Sequence, residues 1–272
     1  MSPLLLDGAM GTALIDAGLP PGRLPEAWLV ARPEAIARVH AAHAAAGAQV
    51  VLTCTFNLAA PRLAASGVEQ GVGDLARRAV ALARSSAPGA RVAGALGPTL
   101  LLDGGEVAAR YAEAFGALAA AGCDLLWAET QLGLVEALAA LAAARATGLP
   151  AVVTFAFQEL GGALHSSAGE PALECLAAAA HEGAAAVGAN CVLPGSPLAP
   201  VLAAAEGLGV PLVAKPSAGL PDAIVTPEAF GTFIAELLRA GASWVGGCCG
   251  AGPAHIEAVA RRFQPRGWEP GR

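Results

Sequence analysis

The order of apolar runs in this chain predicts an α/β fold, a (β/α)8 (TIM) barrel in a single domain. Three observations lead there. Eight short apolar runs alternate with eight alanine-rich helical stretches, and eight βα units in about 260 residues is the arithmetic of that barrel. The runs are continuously apolar rather than alternating, as suits strands buried on both faces of a parallel sheet. Glycine stands at or next to the start of six strands, at Gly47, Gly122, Gly148, Gly183, Gly209 and Gly241, where a helix that has just ended needs it.

The first strand is read at Pro3 to Leu6. A helix over 34–46 opens on Pro33-Glu34, since proline and an acid both suit a first turn. It leads into Gln49-Val50-Val51-Leu52. A helix over 70–86 precedes the third strand, Arg91 to Leu96, and one over 105–121 precedes the fourth, Asp124 to Ala128. A helix over 132–146 leads to Ala151 through Phe155. The next, over 169–181, contains Glu170-Pro171 and leads to Ala184 through Gly188. A helix over 197–206 precedes Val210 to Ala214. One over 227–240, opening on Pro227-Glu228, precedes Ser243 to Gly246, and a helix over 253–262 completes the eighth unit. The barrel is expected to occupy residues 1–263. Residues 264–272 hold two prolines and two glycines and are expected to form a tail that lies loose or packs outside. A doubly wound open sheet shares the alternation and is the alternative.

Hydrophobic residues make up 55% of the 272 positions, enough for a large core. Net charge is −6 and no stretch clusters basic residues, which argues against nucleic acid or an anionic membrane as partner. No apolar run reaches the length of a membrane span. The first apolar run is too short for a signal peptide and follows no basic residue. A soluble, cytoplasmic protein is therefore expected. Lys215 is the only lysine against fifteen arginines. With the abundant alanine, it reads as a compositional habit.

Chemistry in such a barrel is built at the C-terminal ends of the strands. The polar residues there are Asp7, Thr53, Thr55, Glu129, Asn190, Cys191, Lys215, Cys248 and Cys249. Cys191 follows the sixth strand, and Cys248-Cys249 lies in a glycine nest, Gly246 to Gly250, after the eighth. Three thiols on one rim suit a thiophilic metal such as zinc, and three rather than four ligands leave a position for a substrate atom. A substrate thiol there would ionise well below its ordinary pKa of about 8.5. The competing readings are a redox-active vicinal pair at Cys248-Cys249, or buried packing groups. Cys54, Cys123 and Cys175 are read as packing groups.

The ordered motifs Asp7-Gly8-Ala9-Met10-Gly11-Thr12, Val39-His40, Thr53-Cys54-Thr55-Phe56, Gly97-Pro98-Thr99, Glu129-Thr130, Gly188-Ala189-Asn190-Cys191, Lys215 to Pro221 and Gly246 to Gly250 cover nearly the whole chain. In them the chain resembles the homocysteine S-methyltransferases. These include the betaine– and S-methylmethionine–homocysteine enzymes and the homocysteine domain of methionine synthase. The resemblance implies zinc held by Cys191, Cys248 and Cys249, with the sulfur of homocysteine as fourth ligand. It implies that the loop of Asp7, Gly8 and Ala9 binds the amino-acid end of the substrate, its backbone N–H groups taking the carboxylate. Glu129 would take the ammonium, and Asn190 would orient the metal loop. Asp7 also suits a turn cap, and Glu129 the first turn of a helix. His40 is taken as structural.

The implied reaction is methyl transfer to the thiol, giving methionine. The donor is S-methylmethionine, betaine or a methylcorrinoid protein acting in trans. Trp28 and Trp127 are the candidates for an aromatic cage around an onium donor, and both also read as core. Two other readings stand beside this one. One is a thiol–disulfide barrel enzyme working through Cys248 and Cys249. The other is a methyl-acceptor subunit that works only within a corrinoid complex.

Overall fold

The computed structural model describes residues 3–220 and 223–263. Its centre is a sheet of eight parallel strands: β1 Leu4–Leu5, β2 Val50–Leu52, β3 Arg91–Leu96, β4 Leu125–Gln131, β5 Ala151–Phe155, β6 Ala186–Asn190, β7 Leu212–Lys215 and β8 Ala242–Val245. Each strand lies beside its neighbour in sequence from β2 to β8, and β8 pairs with β1. A parallel bridge between Leu6 and Val50 then joins β1 to β2. The Gln49 N–H donates to the Leu5 carbonyl at 2.7 Å, and the Asp7 N–H to the Val50 carbonyl at 3.0 Å. These contacts close the barrel and exclude the open doubly wound sheet, whose two edge strands would remain apart.

The period-2 alternation of each strand divides the core into two layers. Leu6, Val50, Leu52, Ala93, Ala95, Leu125, Trp127, Val152, Ala186 and Val213 fill the barrel. Their neighbours Leu5, Val51, Val92, Leu96, Leu126, Val153, Val187 and Ala214 pack outward beneath the helices. Trp127 is the largest group inside. It is tilted against Trp244 with ring centroids 6.2 Å apart, and its Nε1–H donates to Thr154 Oγ1 at 3.0 Å.

The eight crossover helices are α1 Pro33–Ala45, α2 Val72–Ser86, α3 Gly104–Ala120, α4 Leu134–Arg145, α5 Ala172–His181, α6 Leu198–Ala205, α7 Pro227–Arg239 and α8 Pro253–Phe263. All lie within three residues of their expected starts. The largest difference is at α5. Residues 166–170 form a turn instead, with the Ser166 N–H on the Glu170 carbonyl at 2.9 Å and Gly169 at φ +94. That turn closes a hairpin insertion, Gln158–Leu160 against Ala163–His165, which the sequence reading missed. A second unforeseen hairpin pairs Gly219–Leu220 with Ala223–Ile224. Pro221 of the matched run and the tail expected at 264–272 lie outside the described residues. No described helix is long and apolar enough to cross a membrane.

Gly188 sets the spacing of β6 and β7, the strands that carry Cys191 and Lys215. A Cβ there would stand 1.9 Å from the Val213 carbonyl oxygen. Gly188→Ala must push the strands apart, an overpacking cost of about 3 kcal/mol. A denaturant titration is expected to show that loss, and an unchanged midpoint would contradict it.

Candidate functional site

The C-terminal ends of β4 and β7 and the loops after β1, β2, β6 and β8 surround a cavity of about 260 Å³ at the C-terminal mouth of the barrel. Cys191, Cys248 and Cys249 form one wall, and Asp7, Lys215 and Glu129 form another part of the lining.

Cys191 follows β6 directly and has φ +58, a left-handed conformation uncommon outside glycine. Its N–H donates to the Lys215 carbonyl at 3.1 Å, which ties the turn to β7. The Cys248-Cys249 loop is knitted to both neighbours. Gly247 N–H donates to the Asp7 carbonyl at 2.9 Å, Cys248 N–H to the Pro216 carbonyl at 2.8 Å, and Ala218 N–H to the Cys249 carbonyl at 2.8 Å. The result brings the Cys191 sulfur 2.6 Å from that of Cys248 and 3.9 Å from that of Cys249. All three sulfurs lie within 4.8 Å of one another. Hydrogen bonding with Cys191, and then with Cys248, lowers the Cys249 thiol, while hydrogen bonding with Cys248, and then with Cys249, holds Cys191 well above the ordinary thiol range. Such a donor set fits a thiophilic cation, which displaces the shared protons. No fourth His, Cys, Asp or Glu joins the group among the described residues.

Asn190 fastens this wall to the end of β4. Its Oδ1 accepts the Thr130 N–H at 2.9 Å and its Nδ2 donates to Thr130 Oγ1 at 2.6 Å. The same Nδ2 lies 3.7 Å from the Cys248 sulfur. Thr130 also stands at φ +58, so one buried amide holds a left-handed residue beside Glu129 and touches the thiol cluster.

The other part of the lining is ionic. Lys215 Nζ donates to Asp7 Oδ1 at 3.0 Å and lies 3.5 Å from Glu129 Oε1. Asp7 Oδ2 accepts the Leu52 N–H at 2.7 Å. The side chains of Lys215 and Asp7 are 2% and 4% exposed, and that of Glu129 is 14% exposed, so Glu129 is the carboxylate that opens to the cavity. Burial pushes Glu129 up to about 7, with Cys248 and Asp7 adding to the rise and Lys215 opposing it. Burial would lower Lys215, but the charges of Asp7 and Glu129 hold it above the ordinary lysine value.

One expectation needs correction. The Ala9 N–H donates to the Ala251 carbonyl at 2.9 Å, so it is already engaged within the protein. Among the described residues, the Gly8 N–H makes no such bond. Gly8 is glycine because a Cβ would stand 2.1 Å from the Ala251 oxygen and 2.9 Å from His43 Nε2.

The remaining candidates are buried side chains. Trp127 is fully buried below the cavity, with Lys215 Nζ 5.6 Å from its ring centroid, and Trp28 packs in the outer core under Arg32. Neither lines the cavity. Cys54, Cys123 and Cys175 are buried; Cys54 borders the cavity and the other two do not, and burial pushes Cys123 and Cys175 up to about 12. His40 is fully buried, and burial lowers it to about 4. The sequence reading gave no role to Lys215 and missed Glu26. The Glu26 carboxylate is buried and accepts the Asn57 N–H at 2.6 Å, holding the loop after β2. For Lys215, its place at the end of the seventh strand and its being the only lysine were the available signals. Glu26 had none.

Three comparisons bear on the family. The homocysteine S-methyltransferase family model matches residues 4–263. A homocysteine S-methyltransferase of Escherichia coli is 35% identical over 300 residues, covering 95% of this chain and 94% of its own. The mouse betaine–homocysteine S-methyltransferase 1 is 28% identical over 287 residues, covering 90% and 68%. The crystal structure of the metallated E. coli homocysteine methyltransferase MmuM superposes with a TM-score of 0.80 at 28% identity, covering 96% of both chains. The barrel and the match along its whole length agree: the chain belongs to the homocysteine S-methyltransferase family.

Proposed function

We propose that this chain methylates the sulfur of homocysteine to give methionine, with zinc held by Cys191, Cys248 and Cys249. The observation that carries the reading is the meeting of three thiols within 4.8 Å on the rim of a cavity that also contains Glu129, Lys215 and Asp7. Bound there, zinc supplies ionisation at neutral pH of a thiol whose ordinary pKa is about 8.5. The protein's own groups bind and orient. Glu129 takes the substrate ammonium, and the Gly8 N–H donates to its carboxylate. Asp7 and Ala9 hold that loop through Leu52, Lys215 and Ala251. Asn190 keeps the ammonium end and the thiol end in fixed relation, which is the positioning that an in-line displacement needs. The sulfur forms its bond to the methyl carbon as the donor's bond to that carbon breaks, and the donor leaves with the electron pair.

The donor is S-methylmethionine, betaine or the methylcorrinoid of a separate protein. Free thiols suit a reducing cytoplasm, where we place the reaction. A redox role for Cys248 and Cys249 gains no support from the relatives, which are named methyltransferases. Assaying the zinc-loaded chain with homocysteine and each donor tests the reading. Methionine from at least one donor is expected. Methionine from none of the three would contradict it.

Burial pushes Glu129 up to about 7, and only its ionised form attracts an ammonium. As pH falls through about 7 the group protonates, so kcat/KM for homocysteine is expected to fall on the acid side. A profile flat from pH 6 to 8 would contradict this role.

A further inference from the structure

The assignments above give Lys215 only the task of holding Asp7. It is the only lysine in the chain and the only lysine or arginine lining the cavity among the described residues. Its side chain is 2% exposed, and an ion buried that deeply is costly unless its partners hold it. Trp127, fixed by Thr154, supports it from below. Asp7 and Glu129 occupy two of the three directions in which an ammonium donates. The third has no acceptor among the described side chains. An ammonium is a compact point charge, whereas a guanidinium is a wide planar fork, which suits a lone lysine in a chain that elsewhere uses arginine.

The carboxylate end of an amino acid in this cavity needs a positive partner, and Lys215 is the one cationic group in the described lining. The Ala9 N–H is engaged by Ala251, and Lys215 bonds the residue directly before Gly8, which places its ammonium beside the loop assigned to the substrate's amino-acid end. Lys215 Nζ and Glu129 Oε1, 3.5 Å apart, present opposite charges at a separation on the scale of the ammonium and carboxylate of one α-amino acid. We propose that Lys215 is a substrate-binding residue that pairs with the α-carboxylate while Glu129 pairs with the α-ammonium. The pair is then a clamp for a zwitterion and restricts the cavity to α-amino-acid thiols. This inference rests on the homocysteine reading given above.

The test uses the zinc-loaded full chain and calorimetric binding without any methyl donor. Homocysteine is compared with 3-mercaptopropylamine, which keeps the thiol and the amine but lacks the carboxylate. The wild type is expected to prefer homocysteine by about a hundredfold, the scale of one charge-assisted contact. Lys215→Met is expected to lower that preference at least about tenfold, through weaker homocysteine binding. Lys215→Gln keeps a donor toward Asp7 and carries the same expectation if the methionine variant fails to fold. A folded neutral variant with wild-type preference would make Lys215 a structural ion only and overturn the proposal. So would a wild type that shows no preference. A chain that binds with the expected preference but forms no methionine contradicts the methyl-transfer reading and leaves the clamp standing.

Discussion

Cys249→Ala is expected to remove bound zinc and to lower kcat/KM for homocysteine by on the order of a thousandfold while the barrel stays folded. The size follows from two losses. A thiol with a pKa of about 8.5 is only a few per cent ionised at pH 7, so losing its activation costs roughly thirtyfold. Losing the anchor for the sulfur removes its alignment with the methyl carbon as well. The fold should survive because Cys249 is exposed and lies outside the barrel core. Cys191→Ala and Cys248→Ala carry the same expectation. Metal analysis, circular dichroism and a methionine assay on each variant check it. A variant that keeps full activity without zinc would contradict the ligand assignment.

Glu129→Gln is the second large effect. The substitution preserves shape but removes the more exposed of the two carboxylates that flank Lys215. A charge-assisted contact in a buried site is worth about 2–3 kcal/mol, so kcat/KM for homocysteine is expected to fall by about 30- to 160-fold. The loss should appear in KM, because the ammonium is held equally before and during methyl transfer. The acid-side fall in the pH profile should disappear with it. A fall in kcat at unchanged KM would place Glu129 in the chemical step instead.

The barrel was legible because its signals are local and repeated. Buried parallel strands write continuous apolar runs, and the helices between them begin and end with proline, acids and glycine. All eight strands and eight helices lie where those signals put them. The hairpin at 158–165 was not legible. Its outer strand Gln158–Leu160 is exposed and short, so no hydrophobic period marks it. The thiol cluster was legible for a topological reason. Once the strands are counted, Cys191 and Cys248-Cys249 must share a rim, and they do.

The ionic part of the lining was less legible, because it depends on pairings across the barrel. Asp7 meets Lys215 across 208 positions of chain, and composition made that lysine look incidental. Nor does the motif around Gly8 reveal that its neighbour's N–H is already engaged by Ala251. Geometry at that distance in sequence is decided by barrel closure, and the motif alone carries no trace of it.

The most direct measurement is methionine formation by the purified chain before chelation, after chelation and after zinc is restored. Activity is expected to vanish with the metal and to return at about one zinc per chain, as a single cluster of three thiols requires. A metal-free chain that still methylates homocysteine at the original rate would contradict the role given to Cys191, Cys248 and Cys249.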